Sequence, residues 1–498
     1  MLLIFFLITL NYNILRTMKD TLVITADASG AEVIPFIKVW FMFPGSVLMA
    51  FLFTRLSNRF SREQVFYAII SLFIGFFALF TLFLYPNRDF IHPNELCDRL
   101  QPLLPEGCKG LVSAFRNWSF SLFYVMSEVW GNIVLSLLMW GFVNQVTKLK
   151  EATRFYAIFG VGINSSGIIA GWLSVKMSQS IFNPNIPFGS TAWEQSVFFL
   201  MATVVGVGLL IMVIFRILHR SLISDPAYRD SNESFNSTQS VRGRISMRDS
   251  FRYLFKSRYL CYLAMIVITY NIVINLVEVV WKHEVNELYP DKQAYNLYMS
   301  YITMIMGVLA TFMSMFVAGN SVRKFGWSFT AMLTPAILFV TSILFFGSIF
   351  AKDFIPDAIY ALSGMTPLTL VVFFGSLQNV LSRSAKYTVF DETREMALIP
   401  LPADSKLKGK AVIDGVCSRM GKSGGSFVHQ SLLITFASIT GSMPYLSVVL
   451  FSVIGVWIFV TFMLGRQFNA LTSKSPEAFT PDLDEGKSVE IELQEQPA

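Results

Sequence analysis

The sequence predicts an all-α polytopic membrane protein in which twelve transmembrane helices form two pseudo-symmetric six-helix bundles. Composition is the first observation: of 498 residues, 54% are hydrophobic, 14% are charged and 48 are Phe. Such proportions exclude an ordinary soluble domain. The second is the recurrence of apolar stretches close to the roughly 20 residues a helix needs to cross a bilayer. The third is a set of short motifs that return once in each half of the chain.

Taken in order, spans are expected at 1–26, 34–56, 64–85, 111–147, 153–180 and 193–219, then at 256–283, 295–322, 328–351, 358–395, 406–440 and 444–465. Between the two sets, Ser221 to Arg252 is dense in Ser, Asp, Asn and Arg, the composition of a solvated linker. The predicted domains are an N-terminal bundle over 1–219, a cytoplasmic linker over 220–255, a C-terminal bundle over 256–468 and a disordered cytoplasmic tail over 469–498. Basic residues fall in alternate loops: Arg55, Arg59 and Arg62; Lys148, Lys150 and Arg154; Arg242 to Arg258; Arg323 and Lys324; Lys406, Lys408 and Lys410. The intervening loops are neutral or acidic, so the positive-inside rule puts both termini in the cytoplasm. Cys97 and Cys108 share a long outer loop, as a disulfide or as two free thiols. With Cys261 and Cys417 they show no metal-ligand spacing.

The repeats are specific in position. Tyr12-Asn13-Ile14 returns as Tyr270-Asn271-Ile272, which sets Asp20 opposite Glu278. Ile158-Phe159-Gly160-Val161 matches Ile413-Asp414-Gly415-Val416, and each is followed by a G-x-x-x-G, Gly167 to Gly171 and Gly421 to Gly425. Small residues at that spacing let helices approach closely. Two six-helix repeats with polar groups at matching depth are the pattern of a secondary transporter with a site near the midplane.

Charges inside the spans mark that site, because each costs about 2.5–3.5 kcal/mol at a helix centre unless it faces a wet cavity or a partner. Arg16, Lys19 and Asp20 stand in the first span, Glu128 in the fourth, and Glu278, with Lys282 one turn on, in the seventh. Arg383 and Lys422 lie deeper than the basic residues around them. Lys19, Arg383 and Lys422 read as a clamp for an anion, and Glu128, Glu278, Asp20 and Arg16 as charge partners that hold it between cargoes. The glycines of Gly421-Lys422-Ser423-Gly424-Gly425 suit backbone approach to phosphate oxygens. The stretch is not a Walker A motif, which needs four residues between glycines where Gly415 to Gly421 encloses five. Asn13, Asn144, Asn164, Asn271 and Asn275 offer hydrogen bonds to a flat base, and Tyr12, Tyr156, Tyr270 and Trp130 offer stacking or plain packing. The cargo class is an organic, phosphorylated anion. No catalytic triad, metal spacing or dinucleotide fingerprint stands out, so neither an enzyme nor a cofactor is expected.

Several of these stretches resemble one family: Asn11-Tyr-Asn-Ile-Leu-Arg-Thr-Met-Lys-Asp-Thr-Leu-Val, Gly30-Ala-Glu-Val-Ile-Pro-Phe-Ile-Lys38, Ser127-Glu-Val-Trp-Gly, Lys406-Leu-Lys-Gly-Lys-Ala and Gly421-Lys-Ser-Gly-Gly. They are similar to the ATP/ADP translocases, the nucleotide transporter family of plastids and of obligate intracellular bacteria such as chlamydiae and rickettsiae. The resemblance implies a major-facilitator-like fold, ATP and ADP as substrates and exchange of external ATP for internal ADP. By motif, the family's essential charges fall on Lys19, Glu128, Glu278 and a lysine placed at Lys422, with Lys410 as the alternative. The chain opens without a transit peptide, which favours a bacterial inner membrane. A monomer in the bilayer without nucleic acid is expected. Proton-driven net import of nucleoside triphosphates is the alternative, and a membrane ATPase or anion channel a distant one.

Overall fold

Inside a bilayer the backbone must satisfy its own hydrogen bonds, and a single apolar span does so only as a helix. The computed structural model describes residues 1–140, 142–143, 149–178, 181–223, 254–255, 257–352, 354, 364–401, 409–410 and 412–472, and among them the spans obey that rule. Asn144, Lys148, Lys406, Lys408, nearly all of the linker over 220–255 and most of the tail over 469–498 lie outside these residues.

The N-terminal half holds α1 (Leu2–Ile24), α2 (Val33–Ser57), α3 (Glu63–Leu84), α4 (Trp118–Trp130, continuing as a π-helical stretch over Gly131–Met139), α5 (Leu149–Met177) and α6 (Ala192–Ile223). The C-terminal half holds α7 (Arg258–Leu288), α8 (Lys292–Phe316), α9 (Ala318–Ala351), α10 (Pro367–Ala385, continuing as a π-helical stretch over Lys386–Phe390), α11 (Ser418–Phe436) and α12 (Ile439–Thr472). Eight of these, α1, α2, α3, α6, α7, α8, α9 and α12, are long and apolar enough to cross a membrane by length and composition. Gly326, at φ 80°, breaks α9 where the sequence places the Arg323-Lys324 loop. Short helices over Arg88–Ile91, Asn94–Leu100 and Lys109–Arg116 form a cap between α3 and α4. Cys97 and Cys108 are both free thiols within that cap.

The bundles touch through small residues. A Cβ on Gly307 of α8 would sit 2.6 Å from the Ile168 backbone nitrogen of α5, and one on Gly171 would sit 2.7 Å from the Ser300 carbonyl. The predicted Gly167-x-x-x-Gly171 is therefore a seam between the two halves. On the opposite flank the cap reaches α11, where a Cβ on Gly107 would sit within 2.4 Å of Ile434 backbone. Between the flanks, Thr17 bonds Thr303 at 3.3 Å, Thr21 bonds Asn296 at 3.4 Å, and Asn296 bonds Ser178 at 3.2 Å. These bonds all lie toward the end of the molecule where α1 finishes and the cap sits, so the bundles close at that end.

Candidate functional site

Just inside the closed end, side chains from α1, α2, α4, α7 and α10 meet in a buried ionic network. Lys19 of α1 bonds Asp20 at 2.9 Å and Glu128 of α4 at 3.1 Å, and its Nζ lies 3.8 Å from the Tyr124 ring centroid. Lys282 of α7 forms ion pairs with Asp20 at 2.7 Å and with Glu278, one helical turn back, at 2.8 Å. Glu278 also takes Arg383 of α10 at 2.7 Å and Lys38 of α2 at 3.6 Å, and Lys38 donates to Asn275 as well. Lys19, Asp20 and Lys282 are only 2%, 2% and 1% exposed. Lys19 lies near the end of α1, where it could have reached outward along the helix; instead it points into the protein.

Local structure explains how these residues are aimed. Lys38 sits in a π-helical turn over Ile37–Met42, and Glu128 and Arg383 stand just before the π-helical stretches of α4 and α10. A π turn adds one residue to the regular repeat and shifts the face a side chain presents, a feature frequent at functional sites. Buried charges of this kind are retained only with partners, because desolvation costs several kcal/mol per ion. Four cations, Lys19, Lys38, Lys282 and Arg383, here share three carboxylates, Asp20, Glu128 and Glu278, which leaves the cluster one positive charge in excess.

Lys422 of α11 is exposed and forms no ion pair with the network among the described residues. Its glycines do not cradle an anion: all three lie within the α-helix Ser418–Phe436, where backbone N–H groups are engaged. Gly421 and Gly425 instead let α11 pack on α7, since a Cβ there would meet Asn271 at 2.7 Å and Asn275 at 3.0 Å. Lys410 stands apart, bonded to Glu395 at 2.5 Å. Arg16 is half-buried, 3.8 Å from the Met306 sulfur of α8.

The base candidates divide. Asn13 donates to Ser166 of α5 at 3.1 Å, Asn271 to the Val267 carbonyl at 2.8 Å and Asn275 to the Asn271 carbonyl at 2.8 Å, so much of their bonding capacity is structural. Asn164 is half-buried on α5. Tyr270 is buried between Phe390, stacked at 4.7 Å, and Trp457, edge-on at 5.7 Å, and so serves the core of its bundle. Trp130 likewise is fully buried and donates to the Ile8 carbonyl at 3.1 Å. Tyr12 remains half-buried, lying flat against Gly131, where a Cβ would come within 2.8 Å of its ring. Sequence reasoning assigned no role to Lys38 and gave Lys282 only as a partner of Glu278. Both are ionisable groups inside apolar spans, the same signal that exposes Lys19.

A helical protein with two bundles and an ionic site between them has known relatives. The family model described as TLC ATP/ADP transporter matches residues 1–468. The chain belongs to the TLC ATP/ADP transporter family. It is 42% identical over 470 residues to ADP,ATP carrier protein 1 of Chlamydia pneumoniae, covering 94% of this chain and 91% of that protein. It is 40% identical over 490 residues to ADP,ATP carrier protein 2, chloroplastic, of Arabidopsis thaliana, covering 98% of this chain and 77% of that protein. Among solved structures, this TLC family member is similar to a D-xylose-proton symporter, with a TM-score of 0.56 at 14% identity over 96% of this chain and 98% of the other. A bacterial homologue of ferroportin in an inward-facing state gives 0.53 at 14% identity over 93% and 97%. These neighbours share the major-facilitator-type fold.

Proposed function

We propose that this TLC family member exchanges external ATP for internal ADP across a bacterial inner membrane by alternating access, both termini being cytoplasmic. The observation that carries the reading is the buried cluster of four cations between the bundles, one more than its carboxylates. A polyphosphate is opposite in sign to that excess and offers oxygens to several cations at once. In this reading Lys19, Arg383 and Lys422 hold the phosphate oxygens through charge-assisted hydrogen bonds, and Glu128 and Glu278 keep Lys19 and Arg383 paired when no cargo is bound. With cytoplasmic termini, the closed end faces outward and the conformation is ready to release ATP or take ADP.

The charge balance explains why exchange, rather than net flow, results. Reorienting the empty site with its one excess cation unneutralised costs several kcal/mol, so the empty carrier crosses slowly and the loaded one quickly. Proteoliposomes preloaded with ADP should take up ATP strongly and empty ones weakly. Strong ATP entry into empty vesicles that depends on a proton gradient would replace exchange with proton-driven net import.

A further inference from the structure

Three ion pairs join different bundles; the exposed one is Lys292 of α8 with Asp27 at 3.7 Å, and the other two are buried. Lys282 of α7 reaches Asp20 of α1 at 2.7 Å, and Lys38 of α2 reaches Glu278 of α7 at 3.6 Å and donates to Asn275 beside it. Neither carboxylate belongs to its cross-bundle partner alone. Asp20 also holds Lys19, and Glu278 also holds Lys282 and Arg383. A carboxylate shared among several cations gives each of them up more easily than one committed to a single partner. A polyanion arriving from the open side offers those cations private oxygens. Removing cations one by one would strip the cross-bundle pairs, whereas the pairs inside a bundle stay near one another whichever way it tilts.

From this we propose that Lys38 and Lys282 are a phosphate-released latch: they bind the bundles together at the closed end until the phosphate chain draws them off Glu278 and Asp20. They are coupling residues, and they decide whether transport is obligatory exchange. The inference rests on the nucleotide reading given above, and it adds how cargo opens the closed end. Lys38, 13% exposed on its side chain, is the more accessible of the two and the better position to test.

The neighbouring contact between Ser178 and Asn296, 3.2 Å apart across the bundles, reports closure. In a full-length carrier with its native cysteines replaced, Ser178→Cys with Asn296→Cys should form a disulfide readily without ligand, and ATP or inorganic tripolyphosphate should slow it. Lys38→Gln and Lys282→Gln should slow it without ligand by at least about fivefold, the low end of typical coupling between sites, and ligand should add little. Lys38→Arg should behave as the unmodified carrier. In vesicles, the ratio of ATP entry into ADP-loaded over empty ones should fall in Lys38→Gln by a similar factor. The latch is overturned if Lys38→Gln cross-links as fast as the parent and ATP still slows it. It is equally overturned if both vesicle arms fall together with the ratio intact, since that marks a plain phosphate ligand. If Lys282→Gln fails to fold, Lys38→Gln carries the test. A carrier that moves neither ATP nor ADP sinks the transport reading alone, because ligand-free cross-linking still compares the latch variants.

Discussion

Lys19 and Lys422 carry the same charge in opposite settings, and replacement should separate them. Lys422 is exposed and has no ion pair within bonding reach among the described residues. Lys422→Ala should fold and insert normally while weakening nucleotide binding by about 10- to 150-fold, the roughly 1.5–3 kcal/mol of a charged hydrogen bond. Binding of ATP to purified protein checks this; unchanged affinity removes Lys422 from the clamp. Lys19→Ala instead strands Glu128 without a bonded cation, and breaking a buried pair costs about 3–5 kcal/mol. Thermal unfolding in detergent should show it even without nucleotide. The residues legible in the sequence were those whose charge is costly in a span: Lys19, Asp20, Glu128, Glu278 and Arg383 all meet in one network. What residue type could not reveal is which aromatic faces a cavity, and Tyr270 proved to be core because its ring is enclosed by Phe390 and Trp457.

Helix faces are poorly legible in the sequence, for a physical reason. A regular helix turns about 100° per residue, so one π turn displaces every later side chain from the wheel that sequence periodicity draws. Lys38 lies in such a turn and Lys422 follows another, over Ile413–Cys417. Glycine patterns were legible as close contacts but not as to partner, since Gly167 and Gly171 face α8 of the other bundle. Gly307→Val should push α5 and α8 apart at that seam, with an overpacking penalty of about 1–3 kcal/mol. Cross-linking between Ser178→Cys and Asn296→Cys should slow in parallel; an unchanged rate would mean the seam is not what holds the end shut. The cap makes a separate prediction. His92, bonded to Ser119 at 2.7 Å, is held by burial below its ordinary pKa. The neutral ring is favoured in the folded cap, so its contribution is complete above about pH 6.5 and is lost as pH falls toward the lowered value. Hydrogen-exchange protection over residues 86–117, taken relative to the intrinsic rate at each pH, should fall in mild acid, and His92→Gln should flatten that dependence.

At the scale of the whole molecule, Asp20 and Glu278, matched by counting from their triplets, are the two buried carboxylates paired across the bundles, beside an exposed Asp27–Lys292 pair. Of the twelve expected spans, eight have among the described residues a helix long and apolar enough to cross a membrane. A site built from several cations should discriminate by charge. AMP, with one phosphate, should exchange at least about tenfold more slowly than ADP, a difference of roughly 1.4 kcal/mol, and equal rates would show that the phosphate chain does not drive transport.

The glycine contact between α5 and α8 has one more implication. It is not at the middle of α5: Gly167 stands about 15 Å from the helix end at Met177 and about 27 Å from the end at Leu149, at 1.5 Å per residue. If the halves rock on it as on a fulcrum, the arms are unequal. A given tilt then sweeps the far mouth nearly twice as wide as the near one, and the two vestibules of a single carrier need not share a size.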